Sequence, residues 1–235
     1  MHKEIEKIKK LEGSPIVIKN LFSKEEINKF LDLYNKLPVT VHNKKQNVIK
    51  KRWLKDINRE LESLFFTRVK NEIGDFRMDN LKDEKNEDVL GLFQESYNPI
   101  GLHVDAGFNT EEVIFKQTLI PLTSKGGTVI FKNKFYGSST NFTVDKEELK
   151  EKKLKYGQNI RSSEHLKLYE NKPFNISHYK KYLTHEKMEN LLGLEIDIVY
   201  EWELGSILIF DRTRLHCAAS PIDGKKIGLT TFTKK

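Results

Sequence analysis

The stretch Tyr97-Asn98-Pro99-Ile100-Gly101-Leu102-His103-Val104-Asp105 decides how this chain reads. Pro99 and Gly101 interrupt regular structure, and an imidazole and a carboxylate then stand two positions apart. On an extended strand, side chains at i and i+2 project to the same face. His103 and Asp105 therefore converge on one point. A third ligand is expected in His216, which follows the apolar strand-like run Ser206-Ile207-Leu208-Ile209-Phe210 and the polar Asp211. Two neutral imidazoles and one carboxylate make a donor set suited to ferrous iron, with coordination positions left open.

Outward from this stretch the chain reads as strands. Val89 to Tyr97, Val113 to Leu122, Gly127 to Phe131, Ile196 to Trp202, Ser206 to Phe210 and Ile227 to Phe232 are β-like, with turn residues between them. Short strands spaced in this way predict an all-β sandwich or barrel. Before Phe76 the chain is different. Pro15 to Ile18 reads as a short strand. Ser23 and Glu26 make a capping-box pattern that opens a helix, with Ile27, Phe30, Leu31 and Tyr34 on its apolar face and Pro38 beyond its end. A second helix is predicted over about Trp53 to Ile73, closed by Gly74, with Leu54, Ile57, Leu61, Leu64, Phe65 and Val69 on its buried side. The expected organisation is a single domain over 1–235: an N-terminal strand and supporting helices in 1–75, then a β core in 76–235. An insertion or lid at about 132–195 interrupts that core and is expected to contain one helix, Thr184 to Leu192, stopped by Gly193.

Composition narrows the class. The 235 residues carry 41 Lys+Arg against 34 Asp+Glu, a formal charge of +7, with 37% hydrophobic residues. That balance fits a globular domain and excludes a collagenous or fully disordered chain. Only seven residues are arginine, and lysines are interspersed with glutamates, as in Glu147 to Lys153. Such mixing makes a solvated surface rather than a nucleic-acid footprint. No apolar run approaches the roughly 18 residues of a membrane span. Met1 to Lys10 lacks a signal-peptide core. The lone Cys217 has no internal disulfide partner. A cytoplasmic location is expected, with no membrane partner.

One more feature belongs to the same chemistry. Asp223 to Phe232 is a turn followed by a strand, and it sets Lys226 ten residues beyond His216. A lysine aimed into a barrel needs an anionic partner, and a dicarboxylate chelating iron at one end would supply one at the other. Lys225 competes for the inward position.

From Phe93 to Thr233 the sequence resembles the 2-oxoglutarate- and Fe(II)-dependent oxygenase superfamily, most closely its prolyl-4-hydroxylase-like branch. The resemblance rests on Tyr97 to Gly107, Gln117 to Leu122, Gly126 to Phe131, and Gly205 to Pro221 continuing to Lys226. It implies a double-stranded β-helix, a jelly-roll barrel of the cupin type, with iron in its mouth. Carried over residue by residue, His103, Asp105 and His216 would hold the metal. Lys226 would bind the distal carboxylate of 2-oxoglutarate, assisted by Thr230 and Tyr97, with Gln117 facing the cavity. Most members carry arginine where this chain has Lys226, and lysine offers a point charge in place of a bidentate fork. Arg214, two residues before His216, is a candidate contact for an anionic substrate.

The implied cofactors are Fe(II), 2-oxoglutarate and O2. The implied reaction is hydroxylation of a small-molecule or peptidyl substrate, with succinate and CO2 as coproducts and no catalytic side chain beyond the metal ligands. A carboxylate at position 105 favours hydroxylation over halogenation. Nucleic acid is a less expected substrate, because Phe232 stands where the nucleic-acid dealkylases carry a second arginine. The competing class is a non-catalytic metal- or ligand-binding jelly-roll module. Cys217 alternates to the strand face opposite His216, and His165, His178 and His185 read as surface or turn histidines. Tyr156, Tyr169, Tyr179 and Tyr182 read as lid residues or as packing.

Overall fold

The computed structural model describes residues 3–44, 47–79, 81–82, 87–105, 113–136 and 172–235. Its elements in chain order are α1 (Lys3–Leu11), β1 (Ile16–Ile18), α2 (Lys24–Lys36), β2 (Val41–Asn43), β3 (Val48–Leu54), α3 (Arg59–Ile73), β4 (Arg77–Met78), β5 (Leu81–Lys82), β6 (Asp88–Ser96), β7 (Ile114–Pro121), β8 (Gly127–Lys134), α4 (Ile176–Tyr182), β9 (Ile196–Glu201), β10 (Ile207–Asp211), β11 (Arg214–Ala218) and β12 (Lys226–Lys234). The larger sheet runs β1-β10-β7-β12-β6-β3-β2, with β4 beside β12 and β5 beside β6. The smaller one is β11-β8-β9. All pairings within both sheets are antiparallel. Two such sheets face to face make a jelly roll, the double-stranded β-helix expected from the sequence.

Alternation along the strands sorts the apolar residues into three layers. Between the sheets lie Leu119, Ile130, Tyr200, Trp202, Leu208 and Phe210. Behind the larger sheet, α2 and α3 deliver Phe30, Leu33, Leu61, Phe65 and Val69 onto Trp53, Phe93, Ile120 and Leu229. Behind the smaller sheet, Val129, Phe131, Leu215 and Cys217 meet Phe174, Leu183, Leu191 and Leu194 from the chain that covers them. The capping box of α2 is formed: Ser23 Oγ accepts from the Glu26 amide at 3.2 Å, and the Glu26 carboxylate accepts from the Ser23 amide at 2.7 Å.

Three expectations about elements are corrected. Trp53 and Leu54 belong to β3, and the helix begins only at Arg59, where Asn58 Oδ1 caps the Leu61 amide at 3.1 Å. β6 needs a partner along its free edge, and pairing Val48–Leu54 with it satisfies more backbone groups than an early helical turn would. Ile57, read as buried, is 48% exposed in the turn between them. The helix expected over Thr184 to Leu192 lies earlier, at α4, where Asn175 caps the His178 amide. The later stretch forms turns and a 3₁₀ turn over Met188–Leu191, and Gly193 follows at φ +68°. Finally, β8 runs on to Lys134, so the sheet extends past the expected start of the insertion. Its residues 172–195 contribute to the covering of the smaller sheet's outer face. Residues 137–171, with Tyr156, His165 and Tyr169, lie outside the described residues.

The Trp53 ring is fully buried, with edge contacts to Phe30 and Phe65 and a tilted contact to Phe93. Trp53→Ala is expected to cost about 3–5 kcal/mol of unfolding free energy, measured by urea denaturation, because it empties the joint between β3, α2 and α3.

Candidate metal centre

The backbone brings the two histidines together first. His103 and His216 exchange both main-chain hydrogen bonds, each amide donating to the other's carbonyl at 2.9 Å. This narrow antiparallel pair adds the segment before Asp105 to the edge of β11. The rings then stand on the same face with centroids 4.2 Å apart. Asp105 follows on that face, with Oδ2 at 3.2 Å from His216 Nε2 and 3.8 Å from His103 Nε2. One donor atom from each residue lies within 4.8 Å of the other two.

The hydrogen bonds around these side chains settle which atoms face inward. His103 Nδ1 lies 2.8 Å from the Gly101 carbonyl, and His216 Nδ1 lies 3.0 Å from the Arg214 carbonyl. A carbonyl only accepts, so each Nδ1 carries the proton and each Nε2 presents a lone pair. Burial, reinforced by the neighbouring His216, lowers the His103 pKa to about 4, which keeps its imidazole neutral. Burial alone would push the Asp105 pKa up. In acid, where the histidines are protonated, their charge and the Gln117 hydrogen bond outweigh it and hold the Asp105 pKa well below the usual carboxylate range, so the carboxyl is already ionised when His103 turns neutral. Two imidazole Nε2 atoms and a carboxylate oxygen fit a divalent iron-type cation. Octahedral donors roughly 2.1 Å from an ion stand about 3 Å apart, close to the spacing of Asp105 and His216.

Two further residues hold Asp105. Gln117 on β7 is buried, and its Nε2 donates to Asp105 Oδ2 at 2.8 Å while its Oε1 has no hydrogen-bond partner. Arg212 donates from Nε to the Asp105 main-chain carbonyl at 3.2 Å. Its guanidinium is fixed in turn by the Asp79 carboxylate, the Thr233 carbonyl and the face of Phe232. Arg212 had no role in the sequence reading. Its place at the end of β10, opposite the loop that carries Asp105, was visible only in three dimensions.

Lys226 turns inward. Its Nζ donates to the Gly127 carbonyl at 2.9 Å and sits 4.2 Å from the Trp202 ring centroid. Gly126, at φ +127°, leaves room for this: a Cβ there would approach Lys226 Cδ to 2.9 Å. Burial pulls the Lys226 pKa from 10.5 down to about 7. Lys225 points outward, half exposed, with Nζ 3.8 Å from Glu95. Thr230 shares the Lys226 face by alternation along β12.

Tyr97 does not join this group. Its hydroxyl donates to Glu95 Oε1 at 2.6 Å, and that carboxylate also takes the hydroxyl of Tyr34 from α2. Lys226 pairs with Ser96, so Glu95 and Tyr97 fall on the opposite face of β6. Arg214 is likewise spent elsewhere, on Asp197 at 2.6 Å, Asp211 at 3.4 Å and the carbonyls of Phe131 and Gly13. The β11–β8 ladder shifts register between Arg214 and His216, so simple alternation does not bring the guanidinium to the mouth.

Gln117→Leu removes the donor that orients Asp105. It is expected to weaken divalent-metal binding about 10–100-fold, measured by anaerobic competition with a chromophoric chelator.

No family model matches the sequence, and no curated protein matches it. Solved structures do match in shape. HygX from Streptomyces hygroscopicus, solved with nickel, 2-oxoglutarate and hygromycin B, superposes over 100% of this chain and 87% of its own at 12% identity, TM-score 0.51. SnoK, a non-haem α-ketoglutarate-dependent carbocyclase of nogalamycin biosynthesis, does so over 100% and 84% at 11% identity, TM-score 0.51. A Pseudomonas putida prolyl-4-hydroxylase covers 94% and 92% at 9% identity, TM-score 0.45. The chain has the double-stranded β-helix fold of the 2-oxoglutarate–Fe(II) oxygenases.

Proposed function

We propose that this protein is an Fe(II)- and 2-oxoglutarate-dependent dioxygenase that hydroxylates a small-molecule or peptidyl substrate. The observation that carries the reading is the convergence of His103 Nε2, His216 Nε2 and an Asp105 oxygen, with both Nδ1 atoms tied to backbone carbonyls. When bound, ferrous iron with 2-oxoglutarate and dioxygen supplies the oxidation of a C–H bond, and succinate and CO2 leave as coproducts. The chain's own contribution is to bind, orient and shelter.

In this reading, His103, Asp105 and His216 hold the metal. Gln117 and Arg212 keep the Asp105 carboxylate and its backbone still. Lys226 takes the distal carboxylate of 2-oxoglutarate, with Thr230 beside it on the same strand face. A buried ammonium whose described contacts are a carbonyl and an indole face favours an anionic ligand strongly, since either partner left alone in the interior is costly. The apolar layer of Leu119, Trp202, Leu208 and Phe210 excludes water between the sheets. A small-molecule substrate is supported by the likeness in fold to HygX, which was solved with hygromycin B bound.

Two measurements test the assignment. His103→Ala is expected to abolish 2-oxoglutarate-dependent succinate formation while the thermal midpoint stays near wild type. Retained turnover would remove His103 from the site. Lys226→Ala is expected to raise the apparent KM for 2-oxoglutarate far more than it alters iron affinity.

The buried lysine also gives 2-oxoglutarate binding a pH dependence. The free Lys226 titrates at about 7, and a carboxylate partner raises that value in the complex. Above pH 7 binding therefore takes up a proton. Affinity is expected to fall as pH rises, by up to about tenfold per unit, until the pKa of the complex is passed. Below pH 7 this term vanishes. Isothermal titration in buffers of different ionisation enthalpy reads the proton uptake directly, and a flat profile from pH 7 to 9 would contradict it.

A further inference from the structure

On the side of β11 away from His216, a second set of metal-ligating side chains meets. A ring nitrogen of His185, a carboxylate oxygen of Glu186 and Sγ of Cys217 all lie within 4.8 Å of one another. His185 Nε2 stands 3.7 Å from Glu186 Oε1. Tetrahedral zinc, with bonds of roughly 2.0–2.3 Å to nitrogen, oxygen and sulfur, sets its donors about 3.3–3.8 Å apart. We propose that His185, Glu186 and Cys217 form a second cation site, for a zinc-type divalent ion, behind the wall of the barrel.

The independent support is His185. Both ring nitrogens are buried, and neither makes a hydrogen bond. The Ile100 carbonyl reaches toward the ring as an acceptor and raises the His185 pKa against the larger effect of burial, but it falls short of full hydrogen-bond geometry. An imidazole with its nitrogens dry and unsatisfied carries a desolvation cost that a metal bond would remove. Glu186 is buried too, and no lysine or arginine pairs with it among the described residues. Its Oε1 accepts the Leu102 amide and its carboxylate also takes a hydrogen bond from the Asn190 side chain, which together orient it toward His185 and Cys217.

The framework is built without the ion. Ser220 donates from its amide to the Tyr182 carbonyl at 2.7 Å and meets Thr184 through the two hydroxyls at 3.1 Å. The Glu186 amide donates to the Leu183 carbonyl at 2.9 Å. These bonds hold residues 182–186 against the end of β11, so the donors are arranged before any ion arrives. Charge also closes: a thiolate and a carboxylate neutralise a divalent ion in a low-dielectric setting, and the thiol proton leaves to solvent on binding. A neutral cluster is tolerable beside Lys226, whose charge is felt at both His185 and Cys217. The ion would pin the segment after α4 to β11, a structural role.

Cys217 is the only cysteine in the chain, and the His103–Asp105–His216 site holds no sulfur. Anaerobic titration of the metal-free full chain with cobalt(II) therefore separates the two sites. The expected result is a cobalt–thiolate charge-transfer band in the near ultraviolet whose full amplitude corresponds to one thiolate-bound cobalt per chain and is reached by two added equivalents, since the first site also takes cobalt. It should persist in His103→Ala, vanish in Cys217→Ser and need at least tenfold more cobalt in His185→Asn. Absence of the band from wild type at saturating cobalt overturns the proposal, as does a band that survives Cys217→Ser. If Cys217→Ser does not fold, the wild-type titration and His185→Asn decide. Loss of the iron reading alone would leave the band intact.

Discussion

The pair of backbone hydrogen bonds between His103 and His216 is the constraint on which the site depends. Neither histidine is placed by its own side chain: each is placed by a ladder rung that fixes the partner across from it. The segment that carries His103 and Asp105 follows β6, in the larger sheet, while β11 belongs to the smaller one. This rung therefore links the two sheets at the point where the ligands converge. Residues directly opposite in an antiparallel pair put their side chains on one face, here with ring centroids 4.2 Å apart, a placement that flexible loops would not hold. Everything nearer the chemistry is a refinement of that rung: the Nδ1 bonds choose the tautomers, and Gln117 and Arg212 steady the carboxylate.

Buried charge is distributed unevenly around this frame, and the distribution separates structure from function. Asp211 at the end of β10 receives Lys116, Arg214 and the Gly13 amide, while Glu12 takes Lys134, Thr213 and Tyr136. That network is closed, acid against base, and it ties the segment after α1 to the barrel. Arg212 and Asp79 are closed in the same way. Lys226 is different: inside the barrel, with a carbonyl and an indole face as its described contacts. Closed pairs keep a fold specific at a cost in desolvation, whereas an open cation raises the free energy of the empty protein and lowers it when an anion arrives. This contrast makes Lys226, rather than the better-paired Arg214, the basic residue to associate with a ligand.

Much of this was legible in the sequence, and the misses have physical causes. The strands were readable because alternation and turn residues agree along most of the chain, and the convergence of His103 with Asp105 because i, i+2 spacing on an extended segment puts both side chains on one face. Trp53 was misread because Trp53, Leu54 and Ile57 satisfy a helical period as well as the start of α3 does. Only the need of β6 for a partner breaks the tie, and that need is non-local. Asn175 carries a usable capping signal for α4, but that helix has no fully buried residue, so no apolar period marks it in the sequence. Tyr97 failed by parity, since Ser96 and not Tyr97 pairs with Lys226, a register that single-strand reading cannot supply. Arg214 failed because its ladder slips between it and His216, and irregularities of that kind leave no mark in one sequence.

The strand β11 shows why one short segment concentrates so many roles. Successive side chains of a strand belong to different layers, so His216 faces the space between the sheets while Cys217 enters the cluster behind them. Leu215 and Ala219 continue that rear layer, and they, with Val129 and Phe131, keep it dry. In such surroundings an unsatisfied imidazole is not a passive filler: water cannot reach it, and each unmade hydrogen bond counts in full. A metal bond would offset that cost at His185, and a thiol and a carboxylate stand within reach to complete the ligand set. The front and rear of β11 therefore pose the same problem, polar ligand atoms gathered where solvent is scarce, and a bound cation is the solution proposed for each.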